Sequence, residues 1–248
     1  MTISSLNLFS YIDPLKNAQN LEALNKGLDM ILRSLGISTY SYSNYSTHPR
    51  AKQKLKYEHC SKSFKRWHEY YLSEQYEEVD STLHQSYLSM EPFVWMLVDQ
   101  LAAAKTERER DMRRAGIEFG AIGGITVPIH GPNNEYANLT LIEMHEDHFL
   151  NQVEALTPLL FLVAHYYYTA VFQFFSTAKP TALPLLTQQE MTCLTMQAHY
   201  FSVEHIAKEL KIKPRTVHFH FQNANKKLGV ANKFDAVNKA LELGIIVK

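Results

Sequence analysis

Cysteine is almost missing from this chain of 248 residues: Cys60 and Cys193 stand far apart. Two such residues cannot build the framework of a disulfide-stabilised secreted domain, and neither has a partner at the short spacing of a zinc module. A reducing, cytoplasmic setting is expected. The opening stretch MTISSLNLFSYIDPLKN lacks a basic segment leading into an apolar core, so it does not read as a secretory signal. Long hydrophobic runs are lacking as well. The most apolar stretch, Leu159 to Phe175, contains His165, three consecutive tyrosines and Gln173, and falls short of a comfortable bilayer span, so no membrane is expected. No Ser, Cys or His sits in a recognisable nucleophile motif, which leaves catalysis without support. His145-Glu146-Asp147-His148 lacks the HExxH spacing of a metal site, so neither a metal nor a cofactor is expected. Internal repeats and low-complexity tracts are absent too.

What is present is the composition of a soluble globular protein, 46% apolar and 20% charged, at a length that accommodates two ordinary domains. STAKPTALPLL, residues 176–186, has two prolines and no helical period, and predicts a linker between domains at 1–175 and 187–248. Before it, Asn17 to Leu35 predicts an amphipathic helix closed by Gly36, and Ile37 to Tyr45 alternates as a strand does. Ser61 to Glu74 and Thr106 to Ala115 predict two more helices, the second with a capping box from Thr106 to Glu109 and a stop at Gly116. The run TERERDMRR inside it reads as a solvated face of mixed charge. Ala121 to Ile129 and Tyr136 to His145 predict strands joined by the turn HGPNNE, and His148 to Phe175 a long helix. The class expected is α+β: an N-terminal α/β/α sandwich around an antiparallel sheet, then a C-terminal four-helix domain.

Charge is balanced overall, 25 basic residues against 25 acidic, but not evenly spread. Between Lys208 and Lys233 seven basic side chains face the single acid Glu209, a local field suited to phosphate. In the same region Ser202 stands at an N-cap before Val203, Ile206, Ala207 and Leu210, an apolar stripe at helical spacing. After the turn KIK, Pro214 fits the first position of a second helix whose buried stripe is Val217, Phe221, Ala224 and Leu228, ended by Gly229. Two short helices with so tight a turn have the spacing of a helix-turn-helix. The opposite face of the second helix carries Arg215, Phe219, Gln222 and Lys226, with His218 beside them. Arg215, Phe219 and Gln222 are the candidates for base edges, with phosphate the alternative for Arg215 and a place just outside the groove the alternative for Gln222; Lys211, Lys213, Lys226 and Lys227 are the candidates for phosphate.

The stretch IAKELKIKPRTVHFHFQNANKKLGVANKFDAVNKALELGII resembles the LuxR-type DNA-binding domain over nearly all its length. By that resemblance Arg215, Thr216, His220, Asn223, Lys226 and Lys227 fall at positions that contact DNA or support the recognition helix. Ala236 to Leu243 becomes a fourth, dimer-forming helix. Gln189, Met196, His199-Tyr200-Phe201 and Lys213 depart from the family's usual residues.

The N-terminal region does not read as a phosphorylated receiver, because it lacks apolar parallel strands ending in paired aspartates. Aromatic residues crowd one part of it instead: Phe64, Trp67, Tyr70, Tyr71 and Tyr76, then Asp80, Tyr87, Phe93 and Trp95. Rings interspersed with hydrogen-bonding groups suit a pocket for a small molecule. The spacing Trp67-x3-Tyr71-x8-Asp80, then EPFVW, GGITVPIHG and LTL, is similar to the autoinducer-binding domain that precedes LuxR-type helix-turn-helix domains in quorum-sensing receptors. The resemblance implies that Trp67 donates to a lactone carbonyl, Tyr71 to the acyl carbonyl, and that Asp80 accepts the ligand amide N–H. It places Trp95 over the lactone ring, Gly124 at a sheet glycine position, and Thr140 near the amide. Ser81 replaces a proline, and Ser63 an aromatic whose absence leaves room for a longer or different ligand. The implied protein is a homodimeric transcription regulator that takes an N-acyl homoserine lactone, a dyad-symmetric DNA site and RNA polymerase as partners.

Overall fold

The computed structural model describes residues 8–45, 55–132, 135–145, 148–175 and 184–247. The chain divides into two compact units, Met1–Thr177 and Ala178–Lys248. Most of the predicted linker, the centre of the HGPNNE turn, and Glu146 and Asp147 of the His-Glu-Asp-His run lie outside the described residues.

The first unit opens with helices α1 (Leu8–Lys16) and α2 (Leu21–Ser34). One helix was expected from Asn17; the chain instead breaks after Lys16 and restarts at Asn20, whose side chain accepts the Ala23 N–H as an N-cap. Five strands follow along the chain: β1 (Thr39–Tyr45), β2 (Leu55–Cys60), β3 (Phe93–Met96), β4 (Ala121–His130) and β5 (Tyr136–Met144). They form one antiparallel sheet in the order β2-β1-β5-β4-β3. Strand periodicity gives the sheet two different faces. Tyr40, Tyr42, Ile125, Val127, Leu139 and Leu141 belong to a core shared with α1, α2 and the long helix α7 (Val153–Phe175). Several of its tyrosines keep a phenol partner: Tyr40 donates to Asp29 at 2.5 Å, and Tyr57 and Tyr167 both donate to Asn25 Oδ1 at 2.8 and 2.6 Å. The segment Phe149–Phe175 is apolar and long enough to cross a membrane by length and composition, yet Leu159, Leu160, Val163, Ala164 and Tyr167 are buried in this core.

Against the other face of the sheet lie α3 (Lys62–Ser73), α4 (Ser81–Leu88), α5 (Leu97–Ala103) and α6 (Glu107–Glu118). In α6, Thr106 accepts from the Glu109 N–H as expected, but Glu109 reaches back to Lys105 N rather than to the cap residue. The expected stop at Gly116 is a correction: the helix continues to Glu118, and Gly116 is buried inside it beside Leu97 and Trp67. Gly120, at φ +92°, makes the turn into β4. The solvated reading of TERERDMRR holds for Arg114 with Glu107 and Asp111 but fails at Arg113, which is buried.

The second unit comprises α8 (Gln188–Ala198), α9 (Val203–Glu209), α10 (Pro214–Leu228) and α11 (Lys233–Glu242). Thr187 and Glu190 close a full capping box on α8, Ser202 caps α9 through His205 N, and Gly229 ends α10 at φ +68°. Leu194, Ile206, Val217, Phe221, Ala224 and Ala236 are central to the core that these helices share.

Candidate ligand cavity and nucleic-acid interface

A cavity of about 290 Å³ lies between the polar face of the sheet and helices α3 to α6. Its floor is the side of β1, β5 and β4 turned away from the tyrosine core: Thr39, Ser41, Ser43, Asn138, Thr140 and Thr126. Its roof is Phe64, Trp67 and Tyr71 of α3, and Met112, Arg113 and Gly116 of α6 complete a wall. The sequence reading found the roof and Thr140 but missed the β1 hydroxyls, Thr126, Asn138 and Arg113.

Asp80 is held by three hydrogen bonds in this cavity. It caps α4, its Oδ1 accepting from Thr82 N at 2.9 Å and from Arg113 Nη2 at 3.1 Å. Tyr71 donates its hydroxyl to Oδ2 at 3.1 Å. Burial, and after it the Asp80 charge, hold the Tyr71 phenol well above its ordinary pKa, so it stays protonated and can donate. Ser81, at the proline position, accepts from the same guanidinium nitrogen at 2.8 Å.

Trp95 stands across the ladder from Gly124, and its indole N–H donates to Thr126 Oγ1 at 3.0 Å. Thr126 pairs with Thr140 at 3.2 Å, and Thr140 with Asn138 at 3.4 Å. Gly124 itself does not line the cavity. A β-carbon there would lie 2.6 Å from Trp95 Cζ2 and closer still to the Leu141 carbonyl, so glycine is what lets the indole lie against the sheet. Ser63 lines the cavity beside β1, with Thr39 and Ser61 hydroxyls each at 2.9 Å and its own hydroxyl donated to Ser38 O at 3.0 Å. Trp67 packs edge-on to Phe119 with ring centres 5.0 Å apart. Its indole N–H has no hydrogen-bond partner among the described residues. Tyr70, Tyr76, Tyr87 and Phe93 of the aromatic cluster are not in the cavity lining.

In the second unit α10 exposes Arg215, His218, Phe219, Gln222 and Lys226 along one stripe, with Lys211 and Lys213 exposed in the turn before it. Thr216, His220 and Asn223 are half-buried at its flanks. Phe219 is 56% exposed. Lys227 is placed differently: its ammonium lies 2.8 and 3.1 Å from the two carboxylate oxygens of buried Glu190 in α8. It ties two helices together.

A cavity domain and a helix-turn-helix in one chain define the architecture of a transcription regulator. Residues 20–171 match the autoinducer binding domain, and residues 184–240 the bacterial regulatory proteins of the luxR family. The chain belongs to the LuxR family of transcriptional regulators with an autoinducer-binding domain. It is 31% identical over 182 residues to the putative HTH-type transcriptional regulator y4qH of Sinorhizobium fredii, a match that spans 73% of this chain and about half (54%) of that one. Against the transcriptional activator protein LuxR of Aliivibrio fischeri it is 25% identical over 99% of this chain and 97% of LuxR. Escherichia coli SdiA, solved also in complex with octanoyl-rac-glycerol, has the same fold: TM-score 0.64 at 18% identity, over 100% of this chain and 99% of that one.

Proposed function

We propose that this protein binds an N-acyl homoserine lactone in its N-terminal unit and, as a homodimer, a dyad-symmetric DNA site through α10, from which it contacts RNA polymerase. The observation that carries the ligand reading is the set of polar groups with bonding capacity left over beneath the aromatic roof of the cavity. Trp67 offers a free N–H, and Asp80 has acceptor capacity left at Oδ2. A lactone carbonyl answers the first and an amide N–H the second, while Trp95, its own N–H held by Thr126, presents ring surface to the lactone. On the second unit, the exposed Arg215, Phe219 and Gln222 are the base-reading set, and Lys213 and Lys226 bind phosphate.

The hydroxyl-lined floor supports one alternative ligand, an acyl polyol ester of the kind found in the SdiA complex, whose hydroxyl serves Asp80 as an amide N–H does. The test is thermal unfolding against acyl homoserine lactones of increasing chain length, with octanoylglycerol alongside and Trp67→Phe and Asp80→Asn as controls. A saturable rise with one lactone length class, reduced about 10- to 100-fold in affinity by Asp80→Asn, supports the reading. A rise with octanoylglycerol alone selects the ester. Specific DNA binding in a protein indifferent to every compound refutes both and leaves a ligand-independent regulator.

A further inference from the structure

Arg113 is a buried cation in the wall of a cavity for a neutral ligand. It is 5% exposed and its Nε has no partner, so nothing about hydration favours its presence there. What it does have is Asp80. Its Nη2 holds Asp80 Oδ1 and, through Ser81 Oγ, the first residue of α4, so one guanidinium fixes both the charge and the helix start that carries it. With Thr82 N on the same oxygen and the Tyr71 hydroxyl on the other, the carboxylate is compensated entirely by the protein's own groups. A ligand N–H adds one bond to this set and is not needed to complete it.

We propose that Arg113 is a positioning residue that keeps Asp80 paired and aimed through contacts internal to the chain, so that the N-terminal unit folds without its ligand and exchanges it reversibly. The ligand part of this statement rests on the function proposed above; the folding part does not. Without Arg113, Asp80 becomes a buried carboxylate with only Thr82 N and Tyr71 to compensate it, and the ligand N–H becomes part of what makes folding favourable.

The experiment compares full-length wild type, Arg113→Met, Arg113→Lys, Asp80→Asn and the double variant Arg113→Met/Asp80→Asn, all without added ligand. Wild type is expected to be soluble and to unfold cooperatively. Arg113→Met is expected to lose about 6–20 °C of thermal midpoint or to yield no soluble protein. Lysine at 113 recovers part of that loss. The double variant recovers most of it, because no unpaired charge remains; a residue that merely filled space would gain nothing from Asp80→Asn. An Arg113→Met midpoint equal to wild type, a double variant no better than Arg113→Met, or a wild type that folds only when a lactone is supplied would each overturn the proposal. Failure of every lactone to bind a folded wild type would refute the ligand reading while leaving the Arg113 result standing.

Discussion

Replacing Gly124 by alanine tests the cavity more sharply than removing any polar group from it. The added methyl carbon would stand 2.6 Å from Trp95 Cζ2, 3.1 Å from Cε2, and nearer still to the Leu141 carbonyl of the adjoining strand. The indole can tilt; the carbonyl is fixed by the β4–β5 ladder, in which Gly124 pairs with Ile142. Both must therefore give, at a cost of about 1–3 kcal/mol for overpacking. For a unit of this size that is a fall of about 2–12 °C in midpoint. A tilted indole also strains its bond to Thr126 and intrudes on the space above the sheet, weakening lactone affinity by about 5- to 30-fold. The control is Gly36→Ala. Gly36 has nothing within 4 Å of an added carbon but sits at φ +77°, so only backbone strain of about 1–2 kcal/mol is expected, with affinity unchanged. Differential scanning calorimetry and ligand titration on both variants decide the matter. Equal affinity in the two would mean that Trp95 is not held in place by the absence of a side chain at 124.

Lys226→Met should reduce the salt slope of DNA binding by about 0.9 while leaving stability within about 0.5 kcal/mol. Lys227→Met should do the reverse: it strips buried Glu190 of its partner and costs about 1–3 kcal/mol after allowance for a lysine that is partly exposed, with little change in salt slope. Burial raises the Glu190 pKa, but hydrogen bonds from Lys227 and Thr187 outweigh it, and the net value lies below the usual 4.5. Its contribution to stability is therefore complete above about pH 4.5 and is lost as pH falls through the lower folded value; the pH dependence of the midpoint should flatten there in Glu190→Gln. Phe219→Ala should leave the fold unmoved, since the ring is mostly exposed, and weaken specific DNA binding relative to non-specific binding; equal losses on both would remove Phe219 from base contact.

The helix-turn-helix was legible almost to the residue, because its signals are local: Ser202 as a cap, Pro214 at a helix start, and Gly229 past an end. The sheet was legible only where strands are long. β3 has four residues, and β2, an edge strand with Lys56 and Glu58 in it, shows no apolar alternation to read. For the cavity, the aromatic roof stood out in the sequence while the floor did not. Thr39, Ser41 and Ser43 look like the solvent side of a strand, and only the packing of α3 to α6 over them makes that side an interior. Arg113 was hidden by its neighbours: in a run of acids and bases every charge looks solvated, and the clue was its place next to Met112 and one turn before Gly116, both buried.

The bond between Lys227 and Glu190 has a bearing on how such a regulator is switched. Glu190 closes the first turn of α8, immediately after the linker, and Lys227 lies in the last turn of the recognition helix. Point of attachment and reading head are thus one stiff piece, like a key whose bow and blade are forged together. Under the function proposed above, a signal reaching α8 would meet a helix already braced against α10. It would act by changing where, and in what pairing, the whole key is presented to the lock.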